Sequence, residues 1–160
     1  MRKGVDRMRI LVVSDVHGKR NLLWEVLLAQ PTAKDVIFLG DGLRQVEDVM
    51  ADFPDRTFYT VPGNCDFGAG GIPVRQETFG GKRFYFTHGH LHDVKHTLYR
   101  LDMAAREAGA DVALFGHTHV PYEEYADGLY LLNPGSLGYD RRYGYVDIVG
   151  DGIRTAVVEF

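Results

Sequence analysis

The sequence predicts an α/β protein, with parallel strands first and antiparallel strands later. Three observations carry that prediction. Short apolar runs alternate with helix-period patterns from the start of the chain, in the order β-α-β-α-β. The C-terminal part is mostly β. At 160 residues, the chain is long enough for one domain with a real core and short for two, so 1–160 is expected to be a single domain.

The elements follow in order. "MRILVVS" at 8–14 reads as a buried strand; residues 1–7 before it are either an N-terminal extension or an ordered terminus. A helix is expected over 21–30, with Leu22, Leu23, Val26 and Leu27 on one face and Pro31 as its stop. "DVIFLG" at 35–40 is the second strand. A helix over 44–51 follows, with Val46, Val49, Met50 and Phe53 at helical spacing, and "TFYTV" at 57–61 is the third strand. Gly80-Gly81 joins "VRQETF" to "KRFYFTH" as a hairpin. Asp93 is placed to cap a helix running to about Arg106, lined by Val94, Leu98, Leu101, Ala105 and Ala108, with Gly109 at its C-terminal turn. Strands are expected over 111–116, 128–133, 144–149 and 153–159.

Bulk properties exclude several functions. A net charge of −4 gives no electrostatic grip on nucleic acid or an anionic membrane, so nucleic acid enters only as a small nucleotide substrate. The single cysteine, Cys65, cannot form an internal disulfide, which fits a reducing compartment. No apolar run is long enough for a signal-peptide core or a membrane span, so the cytoplasm is the expected location. Oligomeric state is left open, with a homo-oligomer among the options.

The informative residues lie just beyond the strand ends. Five strands empty into Ser14-Asp15-Val16-His17-Gly18, Gly40-Asp41-Gly42, Gly63-Asn64-Cys65-Asp66, His88-Gly89-His90 and Gly116-His117-Thr118-His119. In open α/β sheets that edge is where ligands bind. Singly, each group has an ordinary explanation: Asp15 and Asp41 as helix caps, Asn64 as a turn residue, His88 and His90 as loop histidines. Together they converge two aspartates, an asparagine and several histidines on one spot. Without a cation such a cluster would bury carboxylates at several kcal/mol each. Imidazole, carboxylate and amide donors suit Mn²⁺, Fe²⁺, Zn²⁺ or Ni²⁺ rather than a thiolate-type zinc site.

The five motifs, in this order, resemble those of the calcineurin-like metallophosphoesterase superfamily: Asp15-Val-His17, Gly40-Asp41, Gly63-Asn64-Cys65-Asp66, His88-Gly-His90 and Gly116-His117-Thr-His119. Asn133-Pro-Gly-Ser136 is similar to a later turn of that family. The short chain and the cysteine in the third motif look most like the small bacterial and archaeal phosphodiesterase branch. The resemblance implies a four-layer α/β/β/α sandwich with mixed sheets and two divalent metals, manganese first among them. It implies Asp15, His17, Asp41 and His119 as ligands of one metal, and Asp41, Asn64, His88 and His117 as ligands of the other, with Asp41 bridging. His90 matches no ligand position and stands as a catalytic candidate beside Asp41 and Asn64. His92 and His96 are expected on the surface or on a helix.

The reaction so implied is in-line attack by metal-bound hydroxide on a small phosphoester. Two dications outweigh two aspartates, so a phosphate is drawn to a positive focus in an acidic protein. Many members of that family carry histidine where Cys65 stands. A thiol is a poor substitute for an imidazolium acid, which favours diesters over monoesters, with His90 as an alternative proton source. Lys19, Arg44 and Arg142 are candidate phosphate contacts or solvated surface charge. Two other functions compete. A cysteine hydrolase built on Cys65 leaves the remaining ligand-type residues unexplained. A non-catalytic metal-binding scaffold of the same fold, engaged in protein–protein interaction, is the alternative to an enzyme.

Overall fold

The computed structural model describes residues 7–68 and 70–160. Apart from Arg7, which opens the first strand, the N-terminal extension considered above lies outside the described residues. The elements are β1 (Arg7–Val13), α1 (Arg20–Ala29), β2 (Asp35–Phe38), α2 (Leu43–Met50), β3 (Thr57–Thr60), β4 (Val74–Phe79), β5 (Lys82–Thr87) and α3 (Tyr99–Glu107). They continue with β6 (Val112–Leu114), β7 (Tyr122–Ala126), β8 (Leu129–Asn133), α4 (Leu137–Asp140), β9 (Arg142–Val149) and β10 (Gly152–Glu159).

The strands form two five-stranded sheets, ordered β10-β9-β1-β2-β3 and β4-β5-β6-β8-β7. The two-residue side-chain period of β1 explains the layering. Leu11 and Val13 face a core shared with Leu23 and Leu27 of α1 and Val46 and Val49 of α2. Ile10 and Val12 point the other way, into a core with Phe84, Phe86, Leu114 and Leu132 of the second sheet. Tyr85 and Ala113 cover the outer face of that sheet together with Leu101 and Ala105 of α3. The result is the four-layer α/β/β/α sandwich. Burial on both faces is why β1 reads as an unbroken apolar run.

Strand direction sets the site. β1 pairs with β2, and β2 with β3, in parallel, so all three end at one edge. β5, β6 and β8 are likewise parallel, which the sequence did not foretell for the later strands. The helix between β5 and β6 supplies the crossover that parallel pairing requires. Antiparallel pairing belongs to β9 and β10, which return to the first sheet, and to the outer strands β4 and β7.

Two elements depart from expectation. β7 went unread because it is an edge strand whose residues are nearly all exposed, so "YEEYA" has no inward face to pattern. Asp93 does not cap a helix. It adopts a left-handed backbone, φ 56°, and its carboxylate pairs with His96 Nδ1 at 2.6 Å. A single 3₁₀ turn spans His90–His92 and α3 begins only at Tyr99. Val94 nevertheless packs in the α3 core as the spacing predicted.

Candidate metal centre

Five of the seven candidate ligands sit in left-handed backbone just past a strand end. Asp15, His17, Asp41, His117 and His119 all have positive φ, between 46° and 70°. Left-handed backbone costs a non-glycine residue about 1–2 kcal/mol, and such strain gathers at functional sites. Neighbouring glycines make room: a Cβ on Gly63 would collide with the Asp41 carboxylate, and one on Gly116 with Ser14 Oγ.

The capping explanation for the two aspartates fails. α1 is preceded by Lys19, and α2 by Gly42, neither with a side-chain cap. Asp41 turns inward, its Oδ1 accepting the Cys65 N–H at 2.8 Å. Asp66, which the sequence reading left without a role, caps α2 from across the chain. Its carboxylate accepts the N–H groups of Gly42 and Leu43 at 2.9 and 3.0 Å and those of Asp41 and Gly63 at 2.7 and 2.8 Å. Negative charge at a helix N-terminus is favourable, and here it also locks the Asp41 loop to the Asn64 loop. The only sequence signal was an acid one residue beyond an Asn-Cys turn.

The side chains converge in two groups. The candidate ligand atoms of Asp15, His17 and His119 lie within 4.8 Å of one another, as do those of Asp41, His88 and His117. In the first group, Asp15 Oδ1 is 3.1 Å from His119 Nε2 and 3.5 Å from His17 Nε2, and the two imidazole nitrogens are 3.3 Å apart. Asp15 Oδ2 is held away by Ser14 Oγ at 2.5 Å and the His117 N–H at 3.2 Å. In the second group, His88 Nε2 is 3.2 Å from Asp41 Oδ2, 3.0 Å from Asn64 Oδ1 and 3.2 Å from His117 Nδ1. The Leu39 carbonyl accepts from His88 Nδ1 at 2.6 Å, which turns Nε2 toward Asp41, Asn64 and His117.

Two carboxylate oxygens face both groups. Asp41 Oδ2 is 3.2 Å from His88 and 4.0 Å from His17; Asp15 Oδ1 is 4.0 Å from His88. Asp15, Asp41 and His88 are buried, while His17, His117 and His119 are half-buried and Asn64 is exposed, so the cluster opens to solvent on one side. Imidazole nitrogens aimed at one another around buried carboxylates fit divalent cations well, since one ion would satisfy lone pairs that otherwise have no shared partner.

Burial alone would raise Asp41, but its ion pair with His88 and the Cys65 N–H outweigh it and hold the carboxyl at about 2. Burial likewise opposes protonation of His88, and the bond to Asp41 overcomes it, raising the imidazole. Burial, then the charge of His88, pushes His117 down to about 4. Burial and the Asp41 carboxylate raise the Cys65 thiol, the reverse of what a nucleophile requires.

The remaining candidates scatter. His90 lies beside the second group, its ring 5.5 Å from His88 and 6.1 Å from His117, and its buried Nδ1 has no partner among the described residues. His92 is half-buried rather than superficial and pairs with the Tyr85 hydroxyl at 2.8 Å; His96 is exposed. Arg44 lines a groove of about 350 Å³ with His17, Asp41, Cys65 and Phe67. Arg142 pairs with Glu159 at 3.6 Å instead. Asn133 and Tyr139 tie the site together from below. Asn133 Nδ2 donates to the Gly116 carbonyl and Thr118 Oγ1. Tyr139 packs its ring 4.8 Å from His17 and 5.2 Å from His119.

Residues 8–149 match the model of the calcineurin-like phosphoesterase superfamily domain. The chain belongs to that family. It is 33% identical over 135 residues to the probable metallophosphoesterase YsnB of Bacillus subtilis, covering 84% of this chain and 78% of that one. It is 39% identical over 139 residues to vacuolar protein sorting-associated protein 29 of Schizosaccharomyces pombe, covering 81% and 72%. A predicted phosphoesterase from Streptococcus pneumoniae superposes with a TM-score of 0.83 at 28% identity, covering 98% and 91%.

Proposed function

We propose that this protein is a metal-dependent phosphoester hydrolase that holds two divalent metals, manganese first, and prefers diesters to monoesters. The observation that carries the reading is the pair of adjoining donor groups, Asp15-His17-His119 and Asp41-His88-His117, with Asp41 Oδ2 facing both. Asn64 completes the second group through its Oδ1. Divalent ions held there supply Lewis acidity, neutralising phosphate charge and lowering the pKa of a water.

The protein's own residues do the rest. The carboxylates of Asp15 and Asp41 are pinned by Ser14 Oγ and the Cys65 N–H, which leaves Asp15 Oδ1 and Asp41 Oδ2 facing the histidine nitrogens, where they would hold divalent cations. The exposed, proton-retaining Cys65 forms no covalent intermediate. As a proton donor to a leaving alkoxide a thiol is a poor substitute for an imidazolium, which favours diesters with good leaving groups. His90 is the proton donor candidate by its place beside His88 and His117 alone, since burial and then the His88 charge lower its imidazole.

The other reading, a metal-binding scaffold for protein partners, draws on the likeness to the vacuolar sorting protein. Every candidate ligand position here carries a coordinating side chain, which favours the enzyme. A substrate panel tests both. With Mn²⁺, bis(p-nitrophenyl) phosphate should turn over at least tenfold faster than p-nitrophenyl phosphate in kcat/KM, a difference of about 1.4 kcal/mol. His90→Gln should slow alkyl diesters more than nitrophenyl ones. Hydrolysis of neither substrate, with metal bound, would support the scaffold and sink the enzyme.

A further inference from the structure

Two grooves flank His17, meeting at Gly18. One is lined by His17 and Asp41, two of the candidate metal ligands. The other, about 640 Å³, lies between the start of α1 and α4. Lys19, Arg20 and Arg141 line it with Asn21 and Tyr139, and no carboxylate does. Tyr139 is its wall toward the site, one aromatic ring away from His17 and His119.

One of the three cations, Arg141, is held in place. Arg141 adopts a left-handed backbone, φ 52°, its Nε donates to the Phe160 carbonyl at 2.8 Å, and its guanidinium lies 4.8 Å over the Phe160 ring. Glu25 lies 3.5 Å from Arg141 and Asp48 lies 3.9 Å from Arg20, all four side chains exposed. Lys19 makes no ion pair among the described residues. So three cations from two distant parts of the chain converge on a concave wall, in a protein of net charge −4. The Tyr139 hydroxyl, largely exposed and without a partner among the described residues, is a further donor.

We propose that this groove binds a second phosphate, carried on one arm of the diester whose scissile phosphate sits at the candidate metal centre. The inference rests on the phosphoesterase reading and narrows its substrate class to phosphodiesters with an additional phosphate group. Phosphate fits better than a carboxylate because it offers three oxygens and up to two charges to several cationic donors at once.

Two substrates that differ only in the remote group test it. Thymidine 5′-(p-nitrophenyl phosphate) and its 3′-phosphorylated form share scissile bond and leaving group. In Mn²⁺, the full-length protein should favour the phosphorylated substrate by about tenfold or more in kcat/KM. Added salt should erode that preference. In the double variant Lys19→Gln/Arg141→Gln, the ratio should fall toward one, whereas a merely structural change would move both substrates together. A ratio near one in the unaltered protein, or one unchanged in the variant, overturns the groove assignment alone. Failure to cleave either substrate or bis(p-nitrophenyl) phosphate overturns the phosphoesterase reading, and the groove with it.

Discussion

Cys65 contributes its backbone to the site, donating an N–H to Asp41 Oδ1 at 2.8 Å, while its thiol stays exposed beside Asn64. The position therefore demands a residue with an N–H and a tolerated side chain, not a nucleophile. Cys65→Ser should retain activity within a factor of about three, and a steady-state assay on a nitrophenyl diester checks it. Complete loss would restore the thiol as a catalyst. Asp15, His17, Asp41, His88, His117 and His119 were legible as one cluster of ligand-type residues because each lies just past an apolar strand, His17, Asp41, His88 and His117 directly beside a glycine. Asp66, Tyr139 and Arg141 were not. Asp66 acts through backbone N–H groups on other loops, and such a contact leaves no pattern along the chain. Tyr139 and Arg141 meet the site only through α4, a one-turn helix too short to show a period. The arginines that line the groove are Arg20 and Arg141, the latter beside the Arg142 that the sequence suggested.

At the scale of elements, the hairpin between β4 and β5 was readable to the residue. Gly80 and Gly81 both have positive φ, 55° and 80°, the pairing that a two-residue turn of the primed type requires. Nothing lies within 4 Å of a Cβ built on Gly81, so a substitution there tests backbone strain alone. Gly81→Ala should cost about 1 kcal/mol in urea unfolding, and Gly81→Asn much less, because asparagine tolerates the left-handed region. Equal costs would mean that the turn is not strained as described. The start of α3 was misread for the opposite reason. Val94 and Leu98 keep helical spacing and face the same core, yet the chain between them is a set of turns closed by Asp93 and His96. Burial can impose a periodicity on a segment that is not helical.

For the whole molecule, the order of strands is what the sequence could not supply. β9 and β10 end the chain yet pair beside β1, and β8 pairs beside β6 with β7 outside it. Those choices bring the ends of β1 and β2 from one sheet against the ends of β5 and β6 from the other. Hence Asp15 and Asp41 meet His88, His117 and His119 only in the folded chain. The central claim is that this meeting point holds two metals sharing Asp41. Metal analysis of the purified protein after loading with Mn²⁺ and desalting tests it most directly, run beside Asp41→Asn. The account predicts about two ions per chain in the unaltered protein, with metal content and diester hydrolysis both falling sharply in the variant. Less than one ion per chain, or an Asp41→Asn protein with unchanged metal content and rate, would contradict it.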